Sequence, residues 1–228
     1  MNVRRVKSKL LLNNKEISQG FNFVVIKSIN VIEDTAYIEI QKPYSKTNKL
    51  VLNKKDKIKI MMSTNETLTL IFEGEIDNIQ ETNNFYKINC YNNVLLENTL
   101  FTTFENLQAS QIFTNICDVN YQATDTLLES FIAEGTKKKS LYNLIYTIKE
   151  ILKTPFYFYN ENNIVVIKNQ LDGNVHLIDD VIRKVNLDKL TIFPIKEIRL
   201  GDSVVYNNTN YKVVGIQYTQ REMVLTVG

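Results

Sequence analysis

The feature that most constrains this chain is a change in the spacing of its apolar residues, from every second position to helical spacing and back again. Ala36-Tyr37-Ile38-Glu39-Ile40 and Lys57-Ile58-Lys59-Ile60-Met61 alternate apolar with polar or exposed-type residues. Successive side chains of a strand point to opposite faces, so this alternation fits half-buried strands. Val24-Val25-Ile26 lies in an earlier β-rich run, with the turn-like Glu33-Asp34 after it. Thr67-Leu68-Thr69-Leu70-Ile71-Phe72 and Phe85-Tyr86-Lys87-Ile88-Asn89-Cys90-Tyr91 complete the set. Strands recurring with turn signals between them predict a small sandwich or barrel over residues 1–92.

Between Gln108 and Asp118 the apolar residues Ala109, Ile112, Phe113, Ile116 and Cys117 fall on one face of a helix. A second helix carries the stripe Leu141, Leu144, Ile145, Ile148, Ile151 and Leu152, with Ser140 as its expected N-cap and Pro155 beyond its end. Phe156-Tyr157-Phe158-Tyr159 and Ile164-Val165-Val166-Ile167 then predict a hairpin around Asn160-Glu161-Asn162-Asn163. The last third returns to β, with Ser203–Tyr206 and Tyr211–Val214 flanking Asn207-Asn208-Thr209-Asn210, then Met223–Val227. This order predicts an α+β fold divided at 1–92, 93–172 and 173–228. The absence of a low-complexity linker predicts that these parts pack as one compact unit. The Asn pairs at 13–14, 83–84, 92–93, 162–163 and 207–208 read as turn punctuation, since Asn tolerates positive φ.

Composition removes several function classes. Lys+Arg 27 against Asp+Glu 25 leaves a formal net charge of +2, too little for a global field that attracts nucleic acid. No apolar run approaches the roughly 18 residues of a bilayer span, and the start Met1–Lys7 lacks a signal peptide's apolar core. Assembly in a cytoplasm is therefore expected, and Cys90 and Cys117 are expected to be buried free thiols.

His176 is the only histidine, in Gly173-Asn174-Val175-His176-Leu177, with no nucleophile motif in the chain; it reads as a packing or surface residue. Asp179-Asp180 are adjacent and point apart on a strand or a helix, so they build no site by themselves. In Glu73-Gly74-Glu75 the glycine marks a bulge or a close backbone approach. Lys137-Lys138-Lys139 reads as a solvated loop, and Lys54-Lys55 precedes a strand. The sequence has no phosphate-binding glycine loop and too few clustered ligands for zinc. No catalytic, cofactor-binding or metal-binding residue is assigned, and no enzyme is expected.

The order of elements resembles the hub proteins that cap the tail tube in long-tailed phages, and their relatives in contractile injection machines. The resemblance rests on Phe72-Glu73-Gly74-Glu75-Ile76, Ile88-Asn89-Cys90-Tyr91-Asn92, Ala109 through Cys117, Gly135 through Ile148, the hairpin Phe156 to Ile167, and Leu200–Tyr206 with Tyr211–Val214. It runs from about Ile29 to Val227, in a chain shorter than the larger family members and without an added peptidoglycan-cleaving domain. It implies tail-tube-like β-barrels with an inserted two-helix plus hairpin subdomain, residues 173–228 completing a second, small barrel.

The implied function is structural: a homotrimeric adapter that joins the hexameric tail tube to the spike or tip protein in the virion tail. Its lumen would let DNA pass without binding it tightly. The tape measure protein and other baseplate proteins are further implied neighbours, and no direct membrane insertion is implied. Within assembly proteins the alternative is a tube or tube-terminator subunit, which has less between its strands. A barrel that binds single-stranded nucleic acid through its 12 Tyr and 11 Phe, or a cell-wall hydrolase, are the readings from other classes.

Overall fold

The computed structural model describes residues 6–43, 50–63, 67–92, 94–178, 181–186, 188–194 and 197–228. The first part of the chain runs β1 (Lys7–Leu12), β2 (Lys15–Glu16), β3 (Phe21–Ser28), β4 (Thr35–Gln41), β5 (Lys57–Ser63), β6 (Thr69–Glu81) and β7 (Phe85–Tyr91). The middle holds β8 (Thr99–Gln108), α1 (Ala109–Ile116), β9 (Val119–Gln122), β10 (Leu127–Thr136), α2 (Lys137–Leu152), β11 (Tyr157–Glu161) and β12 (Ile164–Lys168). The last part holds β13 (Val175–Leu177), β14 (Val181–Asn186), β15 (Lys189–Ile192), β16 (Ser203–Tyr206), β17 (Thr209–Thr219) and β18 (Met223–Val227). The fold is α+β, as its patterning predicts.

The chain forms two compact units. Unit 1 comprises residues 1–28, 34–92 and 173–228, and unit 2 comprises 29–33 and 93–172. Unit 1 is built on a sheet in the order β14-β15-β18-β17-β3-β4-β7-β6-β5-β1-β2, with β16 joined to β17 and β13 to β16. Its alternation is the one in the sequence. Ala36, Ile38 and Ile40 of β4 and Ile58, Ile60 and Met62 of β5 are buried. Ile38 faces Ile88 across β4 and β7, and Ala36 faces Cys90.

Gly74 is required where it stands, since a Cβ there would lie 2.3 Å from the Tyr91 carbonyl oxygen and 2.6 Å from the Phe72 ring. The bulges of β6 flank this glycine, at the register shifts between Ile60 and Met61 and between Ile76 and Asp77–Asn78.

Three of the Asn pairs turn the chain with both residues at positive φ: Asn13-Asn14, Asn162-Asn163 and Asn207-Asn208. Two successive left-handed residues form a tight hairpin turn whose twist matches the strands it joins. The turns are therefore shorter than the four-residue loops expected, and β17 begins at Thr209. The buried Asn92 side chain accepts a hydrogen bond from the Asp34 N–H at 2.8 Å. Asp34 also pairs with Lys27 at 3.3 Å, which compensates its burial.

Unit 2 gathers α1 and α2, an antiparallel ribbon, β8 with β10, and a three-stranded sheet, β11-β12-β9, in which β9 and β12 run parallel, around one core. Its core includes Phe113, Ile116, Phe131, Leu144, Ile148 and the fully buried Ile32. Ile32 arrives with the 29–33 segment, where the Asn30 N–H donates to the Phe158 carbonyl and Val31 bridges to Tyr159.

Helix α1 has the predicted buried face, and its first turn donates the Ser110 N–H to the Asp125 carboxylate at 3.1 Å. An acid at that end also suits the helix dipole. Helix α2 starts one turn earlier than expected. Gly135, at φ 92, lies in the last pair of residues of β10, and the Thr136 hydroxyl caps the helix by accepting the Lys139 N–H at 3.2 Å. Ser140 is thus an interior residue, fully buried, and Lys137-Lys138-Lys139 forms the first helical turn where a loop was expected. Helix α2 closes at Lys153, in the left-handed conformation two residues before Pro155.

Candidate functional site

The residues with chemical potential are held in structural roles. His176 lies on β13, and its Nε2 is 2.9 Å from Asp202 Oδ2. Asp202 is 3% exposed, and its carboxylate also accepts the Arg199 N–H and the Asn174 N–H, each at 2.8 Å. Gly173 packs directly on it, because a Cβ there would lie 2.2 Å from Asp202 Oδ1. The carboxylate therefore clamps β13 alongside β16, where Val175 pairs with Ser203 and Leu177 with Val205 in parallel register.

The other candidates fall apart in space or in chemistry. Glu73 forms a surface ion pair with Lys59 at 3.1 Å. Asp179-Asp180 lie outside the described residues. Lys54 and Lys55 belong to the turn before β5, held by the Lys55 N–H donating to the Ile76 carbonyl. Cys90 and Cys117 are free, and burial pushes each thiol up to about 12, with Asp77 and Asp118 respectively adding to the shift. Cys90 is buried as expected, whereas Cys117 is half-buried, and a protonated thiol is a poor nucleophile at neutral pH. Among the described residues, no group of three or more His, Cys, Asp or Glu could hold a metal ion. No helix there is long and apolar enough to cross a membrane.

What the fold presents is surface. The β8–β10 ribbon buries one face, with Phe131 and Ala133 in the core, and turns the other outward. Phe101 is 83% exposed and Ile132 is 59% exposed. Their register places Phe101 opposite Glu134 and Thr103 opposite Ile132, so the two apolar side chains are diagonal neighbours. Glu105 pairs with Ser130 further along the same face. Helix α2 exposes Lys139, Asn143, Tyr146, Glu150 and Lys153 as one stripe. In unit 1, β13 exposes Val175 and Leu177.

Sequence patterning gives no strand over residues 99–107 or 127–134 and does not single out Phe101 or Ile132. The available signal was weak: in β8 and β10 both faces carry apolar residues, so the period of two is blurred.

No protein-family model matches the chain, and no curated protein matches it by sequence. Solved structures match by shape. The 43 kDa tail protein of prophage MuSo2 from Shewanella oneidensis aligns with a TM-score of 0.72 at 10% identity, over 97% of this chain and 96% of that one. The tail protein from Neisseria meningitidis MC58 gives a TM-score of 0.69 at 7% identity, over 98% and 96% of the two chains. An Escherichia coli component of the type VI secretion system, described as structurally similar to the T4 bacteriophage tail proteins gp27 and gp5, gives 0.60 at 9% identity, over 96% and 76%. Across nearly its whole length, this chain has the fold shared by these phage tail proteins and by the type VI secretion component.

Proposed function

We propose that the chain is a structural hub of a phage tail or baseplate, a trimeric adapter between a hexameric tail tube and the spike or tip. The observation that carries this reading is the mutual coverage with the prophage tail protein, 97% of one chain and 96% of the other, in the absence of appreciable sequence identity. A relationship of that extent leaves little chain over for a separate activity. The inert thiols and the fully engaged Asp202 carboxylate support a non-enzymatic role.

On this reading residues 1–92 and 173–228 supply the two tube-like parts of each subunit, and residues 93–172 form the insert between them. Three chains then offer six similar β parts to the tube, and threefold symmetry to the spike. The near-neutral net charge of +2 suits a channel through which DNA passes without being held. The tube protein, the spike or tip protein and the tape measure protein are its partners, and the virion tail its place. The match to a type VI component supports a wider class that includes contractile injection machines.

Absolute mass by light scattering over a concentration range tests the proposal, with the chain alone and with the tail-gene product encoded beside it. Mass near three protomers, or a ring with a central hole in negative stain, is expected. A monomer under both conditions would refute it.

A further inference from the structure

We propose that the outer face of the β8–β10 ribbon docks onto the exposed stripe of α2 in a second copy of this chain, joining subunits head to tail. The size of the resulting ring, three, rests on the hub reading above; the two surfaces rest on unit 2 alone.

The ribbon face is apolar and acidic. Its strands carry three charged residues, Glu105, Glu129 and Glu134, and no lysine or arginine. Phe101 and Ile132 stand exposed among them, in a two-stranded sheet with no further strand paired to it among the described residues. Exposed apolar side chains on an open ribbon are a liability for a free monomer and ordinary at an interface.

The helix stripe is its complement. Lys139 and Lys153 stand at its two ends, with Tyr146, 67% exposed, between them and Ile151, 50% exposed, beside it; Glu150 is the one acid of the stripe, which keeps a net positive charge. Three lysines in the first turn of α2 oppose the helix dipole. Glu33 answers Lys138, whereas Lys139 and Lys153 have no ion pair among the described residues. Their uncompensated charge is what an acidic partner face would satisfy.

Size agrees as well. The 10-residue strands of the ribbon extend about 33 Å. The 16 residues of α2 extend about 24 Å, so the stripe fits within the ribbon's length. The geometry also fixes the kind of contact. Helix α2 buries Leu141, Leu144, Ile145 and Ile148 in the core that holds Phe131 and Ala133 of the ribbon's inner face. The ribbon's outer face and the α2 stripe are two different surfaces of unit 2. A contact between two different surfaces is heterologous, and it closes as a ring when the rotation per subunit allows.

Charge exchange tests this. The variant Glu105→Lys/Glu134→Lys and the variant Lys139→Glu/Lys153→Glu are each expected to raise the apparent dissociation constant of the assembly by roughly tenfold or more, since like charges then face each other. The variant carrying all four substitutions is expected to recover most of the loss. All four positions are exposed, and far-UV circular dichroism checks that each variant folds like the wild type. Two reversals that leave the mass unchanged, or that weaken assembly without mutual rescue, would overturn this interface while a trimeric wild type keeps the hub reading. A wild-type chain that stays monomeric alone and with the adjacent tail-gene product would overturn both.

Discussion

Replacing Asp202 with alanine removes the acceptor for three groups at once: the Arg199 N–H, the Asn174 N–H and the His176 ring. Hydrogen bonds to a charged group contribute about 1.5–3 kcal/mol each, and an orphaned buried donor costs about 1–3 kcal/mol. The sum overstates the loss, because the 199–202 turn can relax and admit water at its half-buried donors. We expect about 3–5 kcal/mol, the range found when one partner of a buried ionic contact is deleted. His176→Ala deletes one of the three contacts and is expected to cost about 1–2 kcal/mol. The double variant should cost little more than Asp202→Ala alone, since the two residues share one interaction.

The assay is urea unfolding followed by far-UV circular dichroism and tyrosine fluorescence, the chain having 12 Tyr and no Trp. If the two units unfold separately, only the unit 1 transition should move, with its m-value unchanged. A loss below about 1 kcal/mol for Asp202→Ala, or one equal to that of His176→Ala, would refute the three-way clamp.

Gly74→Ala should destabilise unit 1 by several kcal/mol on the order of a severe core overpacking, as read by the same unfolding curve, because the new Cβ meets backbone at 2.3 Å. Asn208→Gly should stabilise the β16–β17 hairpin by a few tenths of a kcal/mol and Asn208→Val should cost about 1–2 kcal/mol, since φ is 60 there. Cys90 and Cys117 should resist a thiol reagent in the folded protein, with labelling accelerating as pH rises toward about 12. Their raised folded-state values stabilise the fold fully below pH 9, the unfolded value. That contribution is lost as pH rises from 9 through about 12, and Cys90→Ala should flatten the decline.

Much of the architecture is legible because local patterning decides it. Ile38, Ile40, Ile58 and Ile60 are buried where alternation places them, and Ile112, Phe113, Leu144 and Ile148 are buried where helical spacing does. The start of α2 was hidden because two capping residues compete. Ser140 precedes the apolar stripe, yet Thr136 follows directly on the left-handed Gly135 and captures the helix one turn earlier. The ribbon was hidden because Phe101 and Ile132 point outward, spoiling the contrast between its faces. Pairings such as β9 with β12 and β13 with β16 leave no local trace, since both are parallel and join distant segments. The 29–33 segment is a further case, for nothing in Ile29-Asn30-Val31-Ile32-Glu33 tells a core of unit 2 from one of unit 1. The surfaces of unit 2 were invisible for a related reason. An exposed apolar residue is informative only once the buried ones around it are known.

The insertion of β17 between β3 and β18 has a consequence for how the chain is made. The Gln220 side chain reaches the Phe21 carbonyl across 199 residues of sequence. During synthesis from the N-terminus, β3 therefore emerges with one edge unclaimed and keeps it so until nearly the entire chain has followed. Vectorial folding cannot finish unit 1 early. Ile32, likewise, waits for residues 93–172 before it has a core to enter. A chain of this layout folds late and as a whole, and its β3 edge is the place where premature pairing with a neighbouring nascent copy would begin.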